Sequence, residues 1–425
     1  MAKRSVCVVG LGYIGLPTAA ILASRGFEVF GADIDAITVA EAAAGRTHIR
    51  ESKLDGLLSD AVKSGHLRAG ALPVVADVFI VAVPTPIRDD HGANLDMVVG
   101  AALSVAEVLK GGDLVILEST VPPGTTTGIF RETLERSGFV AGRDFLVAHC
   151  PERVLPGNLL AELIHNDRII GGIDEASTKA AADVYSTFVR GALVETDATT
   201  AELVKLMENT YRDVNIALAN EFALIAERLG IDVWEAIAHA NRHPRVKYLR
   251  PGPGVGGHCI AVDPWFIVEA APDLARLIST ARSVNDAMPE HVVELARLAV
   301  GEITGAAITT LGLTYKANVA DLRESPAVTV VERLRRAGAV VHTHDPIVGT
   351  EESAEDAAAG ASLLVLLVDH AAYGALDPRV IGPQMRSRVV LDTRGVLDRD
   401  VWEAAGFRVF TLGRAGASVL VGGQG

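Results

Sequence analysis

The sequence predicts an α/β protein in which two Rossmann-like, doubly wound parallel-sheet domains are joined by a long central helix and a helical middle domain. Three observations predict it. A short β-branched strand at the start of the chain runs into a three-glycine turn and then a helix. One uninterrupted helical pattern occupies the middle, and strands alternating with helices return in the last third. At 425 residues, 49% apolar and 22% charged, the chain can fill two or three cores and is too hydrophobic to stay disordered.

Ser5–Val9 is an apolar run that meets Gly10, Gly12 and Gly15 before an alanine-rich helical stretch to Ser24. A second strand, Glu28–Ala32, ends at Asp33. Strands at Val78–Val83 and Leu114–Glu118 alternate with helical patterns such as Leu95–Leu109, the grammar of a parallel sheet covered on both faces. From Thr199 to Gly230 the pattern is one helix. Thr199 and Glu202 are spaced as a capping box, and Leu203, Leu206, Tyr211, Val214, Leu218, Phe222, Ile225 and Leu229 form an apolar stripe that Gly230 ends. So long a helix bridges domains or forms a subunit interface, and a homodimer is expected. The last third predicts strands at Ala307–Leu311, Val340–His344, Leu363–Leu367 and Val389–Leu391. Its first turn, Gly312 to Lys316, lacks the full glycine fingerprint and points to a nucleotide-sugar or pyrophosphate partner more than to a second dinucleotide. The domains are expected over 1–195, 196–298 and 299–425.

A net charge of −14 argues against nucleic acid as a partner, so an anionic ligand must meet local positive charge. Cys7, Cys150 and Cys259 have no paired spacing, so neither a disulfide framework nor a metal site is expected. Met1 to Arg4 lead straight into a strand without the succession of a signal peptide. No apolar run reaches the roughly 18 residues that span a bilayer, so a cytoplasmic location and no membrane partner are expected.

Glycines at 10, 12 and 15 permit the tight turn, the approach of backbone amides to a pyrophosphate, and close packing of helix on strand. Asp33 ends the next strand roughly 20 residues on, where a carboxylate takes the adenosine ribose hydroxyls. Asp33 and Asp35, with no arginine immediately after them, would repel a 2′-phosphate, so NAD is expected over NADP. Pro251 to Cys259 holds two prolines and four glycines, an irregular loop of the kind that carries reacting groups on a rigid scaffold. A free cysteine is more often a small buried hydrophobe, but the glycine wall around Cys259 would let a substrate approach and favours a nucleophile. Lys205 and Asn209 stand one helical turn apart on one face. Such a lysine is either a desolvated base or oxyanion partner, or one that reaches out to water.

Together these motifs resemble the UDP-glucose/GDP-mannose dehydrogenase family over essentially the whole chain. The resemblance rests on Val9-Gly10-Leu11-Gly12-Tyr13-Ile14-Gly15-Leu16-Pro17, Val83-Pro84-Thr85-Pro86, Glu118-Ser119-Thr120-Val121-Pro122-Pro123-Gly124 and Pro151-Glu152-Arg153. It continues through Ala201 to Lys205, the Cys259 loop, Gly312 to Lys316 and Arg323-Glu324-Ser325. Asn241 to Val246 and Gly254 to Phe266 are similar to the branch that acts on UDP-N-acetyl-D-mannosamine. Members acting on UDP-glucose resemble G-F-G-G-S-C-F-P-K-D at the loop, where this chain has His258 and Val262. Pro156 stands where the family pattern has a second glutamate.

The resemblance implies a four-electron oxidation of the sugar C6 alcohol to a carboxylate, using two NAD in turn, with Cys259 passing through a thiohemiacetal and a thioester. It implies that Lys205 stabilises oxyanions, that Asn209 orients the oxygen, and that Asp263 and Glu152 assist water or proton transfer, the base itself staying open. Tyr13, Ile14, Asp33, Thr85, Thr120 and Arg323 map to the NAD side. Arg153, Val154, Arg212, His243, Arg245 and Gly256 map to the UDP-sugar, Arg245 being expected from a partner subunit, with Lys316 and Arg394 adding charge. UDP-N-acetylglucosamine and UDP-glucose are the alternative substrates.

Overall fold

A computed structural model describes residues 5–47, 49, 51, 53–154, 157–349 and 352–414. Met1 to Arg4, Leu155 and Pro156 lie outside the described residues. The chain divides into two compact units, Met1–Glu208 with Trp265–Pro272, and Asn209–Pro264 with Asp273–Gly425.

The first unit holds β1 (Ser5–Val9), β2 (Glu28–Ala32), β3 (Leu67–Gly70), β4 (Val78–Val81), β5 (Leu114–Leu117), β6 (Leu146–His149), β7 (Arg168–Gly172) and β8 (Leu193–Asp197). They form one sheet in the order β3-β2-β1-β4-β5-β6-β7-β8. The reversal of direction at β1 and β4 is the topological switch point of a doubly wound sheet, outside whose carboxyl ends ligands bind. Both faces are covered. Val6 and Val8 pack with Ile80 and Ile116 in one buried cluster, while Cys7 and Val9 pack with Phe79, Val81, Val115 and Leu117 in another. Alternate residues of each strand thus feed two cores, which is why these strands read as continuous apolar runs. One pair departs from the parallel pattern: β7 runs antiparallel to β6, and β8 then pairs parallel with β7.

The second unit holds β9 (Ala307–Leu311), β10 (Val340–His344), β11 (Leu363–Leu366), β12 (Val389–Asp392) and β13 (Arg408–Thr411), all parallel in the order β10-β9-β11-β12-β13. Leu363 and Val365 face one core and Leu364 and Leu366 the other.

The long helix runs over Ala198–Leu229, 32 residues. The expected capping box does not form. Asp197 caps the helix by accepting from the Thr200 N–H and Oγ1, at 2.9 and 2.6 Å. Glu202 instead accepts from the Gly124 and Thr126 amides at 2.6 and 2.7 Å, pinning the turn after β5. The helix buries small residues, among them Ala201, Ala217, Ala219, Ala223 and Ala226, and turns large ones outward: Tyr211 is 67% and Leu229 66% exposed. Among the described residues, no helix is long and apolar enough to cross a membrane.

Candidate active site

In the first unit the glycine turn follows from sterics. Gly10 sits at φ +94°, and a Cβ there would lie 2.5 Å from the Ala82 carbonyl oxygen; one on Gly15 would lie 1.9 Å from that of Gly10. Gly12 differs, since a Cβ there meets nothing within 4 Å. The turn is therefore closed at its first and last glycines and open at the middle one. The helix Gly15–Ser24 that follows has no side-chain cap at Ile14, so the positive end of its dipole faces the turn without a competing side-chain oxygen. Asp33 accepts from the Leu11 N–H at 2.7 Å and the Asp35 N–H at 2.9 Å, which holds its carboxylate beside the turn. Thr85 Oγ1 is buried with no hydrogen-bond partner among the described residues, a polar atom awaiting one. An open glycine, a helix start with no side-chain cap, a fixed carboxylate and an orphan hydroxyl fit a bound dinucleotide.

Around this turn, the Tyr13 hydroxyl donates to Glu51, which also accepts from the Gly157 amide at 2.5 Å and the Leu159 amide at 3.3 Å. Burial and this acidic partner push the Tyr13 phenol well above its usual range. Thr120 is half-buried after β5, just beyond Glu118, which accepts from the Tyr185 hydroxyl at 2.6 Å and pairs with Arg168 at 3.5 Å. Glu152 accepts from the amide of Val154, itself packed on the first core. Arg153 is held by Glu208 and by the Asp167 carbonyl at 2.9 Å. Lys205 is buried on the long helix.

The second unit carries the cysteine loop. Asp263, 3% exposed, donates its amide to the Cys259 carbonyl at 2.8 Å, and its Oδ2 accepts from Asn209 Nδ2 at 2.6 Å. The loop lies against the segment after β9. The Gly257 amide donates to the Arg323 carbonyl at 3.1 Å, a Cβ on Gly256 would meet the Glu324 carbonyl at 2.3 Å, and one on Gly257 the Tyr315 ring at 2.7 Å. Asp321 pairs with Arg323 at 2.6 Å and lies 4.0 Å from His258. Burial opposes the charge on Asp321, but the Arg323 hydrogen bonds outweigh it and hold the carboxyl below its usual range. Burial, then Asp321 and Cys259, raise the Tyr315 phenol. Arg394 pairs with Asp369 at 3.1 Å and lies over Gly252, whose Cβ would fall 2.3 Å from its Nη1.

Cysteine environments differ sharply. Cys7 and Cys150 are fully buried, and burial pushes both thiols up to about 11, whereas Cys259 is half-exposed.

Thus the structure brings Cys259, Asp263, Asn209, Gly256 and Arg323 into one neighbourhood of the second unit, and Gly10, Gly12, Gly15, Asp33 and Tyr13 into one of the first. Arg212, His243, Arg245 and Lys316 are exposed in the second unit, and Arg245 is tied to its neighbours through its own amide and His243 Nδ1, at 3.4 Å. Sequence reasoning missed Glu51, Tyr315 and Asp321. Tyr315 stood inside a recognised motif, and the Asp321–Arg323 spacing was its only other signal.

The second sheet repeats the first turn. Gly312 has φ +94° and donates to the His344 carbonyl at 2.8 Å, as Gly10 does to that of Ala32 at 2.8 Å. Leu313 donates to Asp345 Oδ2 at 2.7 Å, as Leu11 does to Asp33. Here, however, the carboxylate is sealed: His370 Nδ1 accepts from the Asn318 amide, so Nε2 carries the hydrogen that faces Asp345 Oδ2 at 3.1 Å.

Family models match the chain in three parts: the NAD binding domain of the UDP-glucose/GDP-mannose dehydrogenase family over residues 4–189, its central domain over 199–287 and its UDP binding domain over 309–399. A relative from Methanocaldococcus jannaschii named UDP-N-acetyl-D-mannosamine dehydrogenase is 47% identical over 96% of each chain. One from Ralstonia nicotianae named NDP-N-acetyl-D-galactosaminuronic acid dehydrogenase is 49% identical over 92% of this chain and 96% of its own. The structure of a UDP-D-ManNAc dehydrogenase from Pyrococcus horikoshii is similar with a TM-score of 0.91 at 42% identity, covering 96% of this chain and 99% of the other. With all three family domains present in order and relatives of this identity spanning its length, the chain belongs to the UDP-glucose/GDP-mannose dehydrogenase family of NAD-dependent enzymes.

Proposed function

We propose that this enzyme oxidises the C6 alcohol of UDP-N-acetyl-D-mannosamine to the carboxylate, with Cys259 as covalent nucleophile. The contrast among the three thiols carries the reading. Two are sealed in cores, while Cys259 is half-exposed at the end of a glycine-walled loop.

The open turn at Gly12, the uncapped helix start and Asp33 support a pyrophosphate and ribose contact for NAD, with Tyr13, Ile14, Thr85, Thr120 and Arg323 as its further neighbours. Bound NAD supplies the hydride acceptor, two molecules in turn. Once C6 is an aldehyde, the Cys259 sulfur adds to it and the thiol proton passes by way of a base to the new oxyanion, giving a thiohemiacetal. Loss of the second hydride from that carbon, with the hydroxyl proton passing to a base, leaves a thioester. Water adds, sulfur departs as thiolate, and the carboxylate is freed. Lys205, a buried cation, stabilises the oxyanions; Asn209 and Asp263 orient the oxygen and the attacking water; Lys205, Glu152 and Asp263 are the candidate bases. Arg153, Val154, Arg212, His243, Arg245, Gly256, Lys316 and Arg394 serve the UDP-sugar, the cations answering its diphosphate.

The exposed apolar stripe on the long helix supports a second copy as its cover, hence a homodimer, and three cysteines with no disulfide between them suit a reducing cytoplasm. The 49% identity to a relative named for N-acetyl-galactosaminuronic acid favours a second reading, another N-acetylhexosamine as the sugar.

Steady-state turnover with UDP-linked N-acetylmannosamine, N-acetylgalactosamine, N-acetylglucosamine and glucose tests the substrate, and a higher kcat/KM for any other sugar overturns the assignment. Cys259→Ala should abolish acid formation by mass spectrometry. Acid still made by that variant would sink the covalent route.

A further inference from the structure

A buried polar chain lies behind the cysteine loop, and none of its members belongs to the residues assigned above. Asp213 and Asn220 lie on the long helix, and Arg282 and Asn285 on the helix Arg276–Val300; all four are at most 2% exposed. Arg282 Nη1 donates to Asp213 Oδ1 at 2.7 Å. Asn285 Nδ2 donates to the same oxygen at 2.8 Å and to the Asp213 carbonyl at 3.1 Å. Its Oδ1 must then face the other way, where it accepts from Asn220 Nδ2 at 2.8 Å. That in turn leaves Asn220 Oδ1 to accept from the Gly252 amide at 2.8 Å. Each amide's orientation is dictated by its neighbour, starting from the fixed charge of the ion pair, since flipping either would set like groups face to face.

The chain ends where the loop begins. Pro251 and Pro253 have no N–H, so Gly252 offers the only backbone donor over 251–253, and Asn220 takes it. The loop meets Asn285 again two residues on. Pro289 lacks the amide that would cap the Asn285 carbonyl within the helix, and a Cβ on Gly254, at φ +129°, would sit 3.1 Å from that carbonyl oxygen. Farther along, the Gly257 amide is held by the Arg323 carbonyl.

We propose that Asn220 and Asn285, oriented by the Asp213–Arg282 pair, are positioning residues that fix the near end of the loop and thereby the reach of the Cys259 sulfur. The proposal rests on the reading of Cys259 as the nucleophile. It predicts that the network acts on the thiol's chemistry and not on NAD binding, whose glycine turn lies in the other unit.

The test compares Asn220→Ala, Asn220→Asp, Cys259→Ala and the wild type. Asn220→Ala should slow acid formation on the order of a hundredfold. It should also change the rate of Cys259 alkylation by iodoacetamide, while NAD affinity and cooperative unfolding are kept. Asn220→Asp retains the acceptor for Gly252 but turns a second acceptor on Asn285, so its activity relative to wild type should recover as the pH falls and a carboxyl O–H replaces the lost donor. Folded variants with wild-type turnover and alkylation overturn the proposal, as do variants that both fail to unfold cooperatively, which would make the network purely structural. Acid formation by Cys259→Ala would instead sink the underlying reading, independently of how the Asn220 variants behave.

Discussion

Asn209 Nδ2 donates to Asp263 Oδ2 at 2.6 Å, tying the long helix to the first residue of the helix Asp263–Ala270 that follows the cysteine loop. Asp263 is almost fully buried, so this bond is made away from competing water. Asn209→Ala is expected to cost about 1–2 kcal/mol of stability by removing it, together with a fall in kcat. Urea unfolding and steady-state kinetics check both, and an unchanged unfolding midpoint would count against a stabilising role for the bond.

Gly15 and Gly12 of the first turn should respond differently to one methyl group. Gly15→Ala forces a Cβ to within 1.9 Å of the Gly10 carbonyl oxygen and should destabilise the unit by about 3 kcal/mol or more. Gly12→Ala meets no atom and should unfold like the wild type, yet bind NAD about tenfold more weakly, because the methyl fills the space a pyrophosphate needs. Denaturation curves and a fluorescence titration separate the two effects.

His149, at the end of β6, is buried, and burial lowers its imidazole from 6.5 to about 3. The unfolded chain takes up this proton near pH 6.5 and the folded chain does not. Its contribution to stability is therefore complete above pH 6.5 and lost as the pH falls toward 3, at no more than about 1.4 kcal/mol per pH unit. His149→Leu should flatten that slope in urea midpoints measured between pH 7 and pH 5; an equal slope in the variant would assign it to another group.

Leu218 and Leu229 stand on the exposed stripe at 41% and 66% exposure. The double variant Leu218→Glu, Leu229→Glu should sediment as a single chain where the wild type sediments as two, since glutamate suits a solvated helix but not a buried interface. A monomeric wild type would dispose of the homodimer.

Ser5–Val9, Val78–Val81 and Leu114–Leu117 were legible because burial on both sides demands apolar residues at nearly every position. Ser5–Val9, Glu28–Ala32, Ala307–Leu311 and Val340–His344 have the expected bounds, although the last is an edge strand that is largely exposed. Leu67–Gly70 and Leu193–Asp197 were not anticipated: they are the first sheet's two edges, and the second is mostly exposed, with polar residues that carry no apolar signal. Leu146–His149, Arg168–Gly172 and Arg408–Thr411 were not anticipated either, being short runs that carry histidine, arginine or glycine. The glycine turn and the cysteine loop announced themselves through residues whose backbone demands are local. Tyr315 and Asp321, by contrast, meet the loop only through tertiary folding across more than fifty positions, and Asp213 and Arg282, 69 positions apart, are paired only by the packing of two helices. The mistaken capping box has the same cause, because Glu202 had a stronger offer from amides far away in the chain.

The turns at Gly10 and Gly312 share a torsion angle and a strand-to-carboxylate tether, but an imidazole stoppers the later one. The same backbone solution thus serves twice, left open beside Asp33 and closed by a side chain beside Asp345. Anyone hoping to engineer a second coenzyme into this scaffold would have to begin by evicting His370.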